Sequence, residues 1–143
     1  MTRALFAFAL ALASAAAAAG LLPGKTPEFL PVDQAFELQP LDARDGKLHV
    51  EWRIAKGYYL YRERLKFTLA APAGAALGAP ALPQGEPHED DYFGKTQVYR
   101  QTLAADLPMP QGQGPVKLTV GYQGCADAGL CYPPQTRTLE LQR

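Results

Sequence analysis

Hydrophobic and polar positions alternate along several short stretches of the chain. In LHVEWRI, Leu48, Val50, Trp52 and Ile54 fall on one side and His49, Glu51 and Arg53 on the other, the period of two that a strand with one dry face requires. The same alternation recurs in Leu65, Phe67 and Leu69, in Val116, Leu118, Val120 and Tyr122, and more weakly in Phe36 with Leu38 and in Leu139 with Leu141. No long segment repeats at the helical spacing. Breaker clusters separate these stretches: Asp45-Gly46, Lys56-Gly57, the run from Ala71 to Gly85, and QGQGP from Gln111 to Pro115. Thirteen prolines and thirteen glycines in such places suit an all-β domain with many turns. Short antiparallel strands of this kind predict an immunoglobulin-like β-sandwich.

The beginning of the chain breaks the alternation. MTRALFAFALALASAAAAAG sets Arg3 before an apolar run that ends in small residues near Ala19, the layout of a secretory signal peptide. The run is shorter than the roughly 20 strongly apolar residues a spanning helix needs. Residues 1–19 are therefore expected to be a leader, and residues 20–143 one exported domain in a compartment where disulfides form. The 143 residues carry no net formal charge, which gives no reason to expect a nucleic acid or an anionic membrane as partner.

Export makes the two cysteines the next question. Cys125 and Cys131, in GYQGCADAGLCYPP, have five residues between them, a spacing that fits neither the CxxC redox motif nor the usual zinc pair. As a staple the pair is modest: the chain-entropy relation gives about 2.4 kcal/mol for so short a loop, against about 4.7 for a loop of 100 residues. Its place, between the strand ending at Tyr122 and Pro133-Pro134, predicts an accessible bridge across the base of a hairpin loop. Accessible bridges are the exchangeable ones, so the residues alone leave two readings open: a redox pair, or a structural bridge in a non-catalytic interaction module. A metal site would need three or four ligands, and only His49 and His88 are at hand, so no metal is expected.

Two further stretches are candidates for the surroundings of that pair. LPQGEPHEDDYFGK brings Glu86, Glu89, Asp90 and Asp91 before Tyr92, Phe93 and Gly94. It reads either as a solvated acidic loop or as an aromatic lid beside a glycine hinge. Carboxylates near the cysteines would disfavour a thiolate. In GYYLYRERLKF an extended backbone puts Tyr59 and Tyr61 on the same side, although tyrosines commonly pack at sandwich edges with the hydroxyl in water.

VDQAF, GYYLYR, LPQG with HEDDYFGK, and above all YQGCADAGLCYPP occur in an order, over nearly the whole mature chain, that resembles the N-terminal periplasmic domain of the DsbD family of bacterial transmembrane thiol:disulfide interchange proteins. The resemblance implies an immunoglobulin-like sandwich with one redox cysteine pair, Cys125 and Cys131, the second forming the mixed disulfide with partners and the first resolving it. It implies a protein-disulfide reductase activity without metal or organic cofactor. Electrons would arrive from a thioredoxin-like domain of the same or a partner membrane reductase. They would leave to a periplasmic disulfide isomerase of the DsbC kind and related thiol proteins. The family's cap over the pair corresponds to Asp90, Asp91, Tyr92, Phe93 and Gly94, and family tyrosines beside the sulfurs to Tyr59 and Tyr61. Where the family reads Phe then Tyr, this chain reads Tyr92 then Phe93, which puts Tyr92 in the lid position. The chain is expected to be a segment of a longer reductase, or a free-standing relative that borrows its reductant.

Overall fold

The structure, a computed structural model, describes residues 28–143, so the expected leader lies outside the described residues. After a single helical turn, α1 (Val32–Ala35), come eleven strands: β1 Phe36–Leu38, β2 Asp42–Arg44, β3 Lys47–Ile54, β4 Tyr58–Tyr61, β5 Lys66–Ala71, β6 Glu86–Asp90, β7 Gly94–Tyr99, β8 Thr102–Pro108, β9 Val116–Tyr122, β10 Gly124–Ala126 and β11 Gln135–Leu141. Every pairing between them is antiparallel.

Three sheets result. One has β3 between β2 and β8 with β1 on its end, the second runs β11-β9-β5, and the third runs β10-β4-β7-β6. The first two supply the main core. Leu48, Val50, Trp52 and Ile54 of β3 join Leu103, Ala105 and Leu107 of β8 and Val116, Leu118, Val120 and Tyr122 of β9 in one buried cluster. Trp52 bridges the sheets, its ring 5.7 Å from that of Tyr122 and 6.3 Å from that of Phe67. The alternation in β3 and β9 thus marks one dry face each, as the sequence pattern requires. Strand β8 follows the same rule, but its middle inward residue is Ala105, too weakly apolar to stand out.

The third sheet departs from simple alternation, and this departure positions the site. All four residues of β4 are buried. Tyr58 and Leu60 face the main core, while Tyr59 and Tyr61 face a second, smaller cluster with Val98 and Cys125. A strand covered on both faces loses its polar positions. The acidic stretch from Glu86 is likewise no loop: it is β6, paired with β7 from Glu86↔Val98 to Asp90↔Gly94. Only Asp91, Tyr92 and Phe93 are left as its connection, a three-residue turn closed by Gly94 at φ +67°, the left-handed position that such hairpins assign to glycine.

Candidate functional site

Cys125 sits in β10, opposite Tyr59 of β4. It is bonded to Cys131 across an isolated antiparallel bridge, with the two Cα atoms 4.0 Å apart. Gly124 lets β10 lie this close: a Cβ there would meet the Tyr59 carbonyl oxygen and stand 2.5 Å from Phe36 Cζ. The pair is less open than its turn-rich setting predicts. Cys125 is 1 % exposed and Cys131 partly buried, because β10 is a paired strand and aromatic side chains from β4 and the β6-β7 turn pack around it.

Those aromatics bring polar groups with them. Tyr61 places its hydroxyl 3.2 Å from Cys125 Sγ and donates to Asp90 Oδ2 at 2.5 Å. Tyr59 donates to the same oxygen at 3.3 Å. His88 Nε2 is 3.1 Å from it, with the imidazole packed 4.4 Å from the Tyr59 ring. Asp90 Oδ1 accepts the backbone N–H groups of Tyr92 and Phe93, both at 2.9 Å, an Asx turn that fixes the connection. The tyrosine hydroxyls therefore face a carboxylate and a sulfur, not water.

Charge follows from this geometry. Burial pushes the Tyr61 phenol far above its ordinary value and the bond to Asp90 adds to it, so the hydroxyl keeps its proton. Tyr59 is raised too, chiefly by burial. For Asp90 burial alone would raise the carboxyl, but the bonds from Tyr61 and from the N–H groups of Phe93 and Tyr92, with His88 alongside, outweigh it and hold the group below the usual carboxylate range. A fixed anion thus stands one hydroxyl away from Cys125, a setting that disfavours a thiolate there.

The two turn aromatics divide their work. Phe93 is the ring that packs into the cluster of Tyr59, Tyr61, Val98 and Cys125, meeting Tyr61 edge-on at 4.8 Å, with the Arg64 guanidinium 4.1 Å from its ring centroid. Tyr92, expected in the lid position, is 57 % exposed and reaches the cysteine loop with its hydroxyl, which donates to Gly129 O at 3.0 Å. Asp91 is exposed at the turn. Cys125, Cys131, Asp90, Tyr92, Phe93, Tyr59 and Tyr61 are thus brought together, with Gly94 closing the turn. His49 stands apart on β3, bonded to Asp106 at 2.7 Å. Among the described residues no group of three or more His, Cys, Asp or Glu is placed to hold a metal ion.

Three residues of the site have no role in it in the sequence reading. His88, considered there only as a metal ligand, lies two residues before Asp90 on β6, which puts both on one face. Arg100 grips Asp127, inside the cysteine loop, with two bonds of 2.9 and 3.0 Å. The position of Asp127 between the cysteines was the signal available for that pair.

Residues 26–143 match the family model described as thiol:disulfide interchange protein DsbD, N-terminal. The chain is 46 % identical over 114 residues to the DsbD of Cronobacter sakazakii, covering 80 % of this chain and 19 % of that protein. It is 49 % identical over 141 residues to the DsbD of a Pseudomonas species, covering 97 % and 23 %. It therefore spans less than a quarter of the length of these relatives. Among solved structures it is similar to the reduced N-terminal domain of Neisseria meningitidis DsbD, with a TM-score of 0.70 and 33 % identity over 80 % of this chain and 90 % of that one. It is also similar to a structure of the complex between the DsbD and PilB N-terminal domains from the same organism, at 0.68 and 36 %, over 80 % of this chain and 88 % of that one. The all-β, immunoglobulin-like class expected from the alternation is borne out. The chain belongs to the DsbD N-terminal domain family.

Proposed function

We propose that this chain is an electron-relay domain of the periplasm, a protein-disulfide reductase module that takes two electrons from a thioredoxin-like donor. It passes them on to periplasmic thiol proteins, a disulfide isomerase among them. The observation that carries this reading is the unequal burial of a single cysteine pair within a family of thiol:disulfide interchange proteins: Cys125 is enclosed, Cys131 is not. Cys131 is the less enclosed of the two, so it is the sulfur assigned to meet a partner once the turn shifts.

The donor thiolate attacks Cys131 Sγ, the Cys125–Cys131 bond breaks, and its electron pair leaves on Cys125. That sulfur is buried and one hydroxyl from an anion, so it is driven to take a proton rather than remain a thiolate. Tyr61 is the hydroxyl in contact with it; its one proton is committed to Asp90, so the Cys125 thiol, once it has taken a proton from solvent, donates to the Tyr61 oxygen. A second donor thiolate then releases Cys131, leaving a dithiol. In the outward half-reaction Cys131 attacks the acceptor disulfide, and Cys125 resolves the mixed disulfide. The Asp90–Phe93 turn shields the pair between encounters and must shift for a partner to dock.

Replacing Cys125 by Ala leaves Cys131 as a free thiol that should attack the disulfide of an oxidised thioredoxin-like partner and, with no resolving cysteine beside it, hold the mixed disulfide as a covalent adduct that dithiothreitol dissolves. A wild-type pair that the reduced partner leaves oxidised, and a variant that forms no adduct, would overturn the reading in favour of a structural bridge in an interaction module.

A further inference from the structure

Five residues separate the cysteines, and their geometry in the dithiol state decides how readily the bridge re-forms. Inside the loop, Ala126 N–H donates to Leu130 O at 2.7 Å and Gly129 N–H to Ala126 O at 2.9 Å. The loop is tied to the body by Asp127 N–H on Gly57 O at 2.8 Å, by Tyr92 on Gly129, and by the Asp127 carboxylate on Arg100. The last is the only charged tie among them, and it is two-pronged. Arg100 follows the last residue of β7, and its guanidinium lies 5.0 Å over the Tyr59 ring with Nε 3.8 Å from Glu86 Oε2.

Exposed ion pairs usually contribute little, because ordering two long side chains offsets the attraction. Here the ordering is supplied from outside the pair. The aromatic face of Tyr59 and the carboxylate of Glu86 already hold the guanidinium in place, and a planar fork meeting a carboxylate with two parallel bonds loses less freedom per bond than an ammonium would. The same Tyr59 lies opposite Cys125 in the β4-β10 pairing. Arg100 thus connects the strand beneath one cysteine to the loop that leads to the other.

We propose that Arg100 is a positioning residue for the exchange reaction: through Asp127 it keeps the loop closed in the dithiol state, holding the two sulfurs close and biasing the pair towards the disulfide. The inference rests on the exchange reading of Cys125 and Cys131. Forming the bridge is an intramolecular step, so its equilibrium depends on the effective concentration of one thiol at the other. A loop released from Arg100 samples wider separations, and that concentration falls.

The experiment is a redox titration of the exported domain in glutathione buffers. Each equivalent of oxidised glutathione takes two electrons and the two thiol protons from Cys125 and Cys131, leaving the disulfide and two reduced glutathiones. Arg100→Gln and Asp127→Asn should each lower the oxidation constant about tenfold, a shift of about 30 mV towards a more oxidising couple. Arg100→Lys, which keeps the charge without the fork, should recover only part of it. The double variant Arg100→Gln with Asp127→Asn should fall no further than either single one, as for two residues acting through one contact. Constants within twofold of wild type in both single variants would overturn the proposal, as would a lowered urea midpoint of the oxidised forms with an unchanged constant, which is all a structural ion pair would give. If the wild-type pair itself does not exchange with glutathione or a thioredoxin-like donor, the exchange reading fails and the clamp with it. If wild type exchanges and the variants match it, the clamp alone fails.

Discussion

Asp90 gathers more polar contacts than either cysteine: Tyr59, Tyr61 and His88 on one oxygen, and the Tyr92 and Phe93 N–H groups on the other. It joins the turn to the sulfurs, because the two N–H bonds shape the turn while the bond from Tyr61 leads to Cys125. Its carboxyl is held below the usual value of 3.8, so the carboxylate contributes stability that is present above about pH 4 and is lost as pH falls through the folded value. Asp90→Asn should cost about 1–3 kcal/mol at pH 7, the range for breaking a partly buried bond to a charged group. The gap between wild type and variant should narrow as pH falls below about 4. Urea unfolding of both at pH 7 and pH 3 measures it, and an equal gap at the two pH values would place the effect elsewhere.

At the scale of elements, the site rests on one close approach, β10 against β4. An added methyl at Gly124 would collide with backbone on one side and with the Phe36 ring on the other, and neither can move without disturbing β4. Gly124→Ala should therefore destabilise by about 1–3 kcal/mol, the usual cost of overpacking, and lower the thermal midpoint by several degrees. Gly121→Ala, whose methyl would come no closer than 3.3 Å to Lys66 Cβ and 3.8 Å to any backbone atom, should shift it less; equal shifts would show that the approach is not tight. The sequence makes β3 and β9 readable because each has a single dry face. It does not reveal that GYYLYR is covered on both sides, since four residues are too few to carry a period. Nor does it reveal that EPHED is a strand: its polar side chains lie along an outer edge of the third sheet, where no apolar stripe is required.

For the molecule as a whole, the sandwich and not the bridge holds the fold together. The core of β3, β8 and β9 is closed without either cysteine, and so short a loop returns only about 2.4 kcal/mol, against about 5–15 for a domain of ordinary stability. The reduced protein should keep its far-UV circular dichroism and unfold cooperatively in urea at a modestly lower midpoint; loss of structure on reduction would show the bridge to be structural. The residues also made the placing of Tyr59 and Tyr61 legible, through their two-residue spacing. The partners of Asp90 and Arg100 were not, because pairings such as Arg100 with Asp127 depend on how distant strands are stacked. The exposure expected of the pair failed for the same reason: Gly and Pro around Cys125 say that the chain turns, not what is packed above it.

The strand directions give the molecule two poles. Strand β9 runs from Val116 to Tyr122 and β11 returns from Gln135 to Leu141, so the last residues lie about 20 Å from the end of β9 nearest the cysteines, at about 3.3 Å per residue. Arg143 is moored there by bonds to Gly114 O and Pro110 O. Anything leashed to that end would leave the sulfur-bearing pole free to swing, and one fixed anchorage could present the pair first to one visitor and then to another.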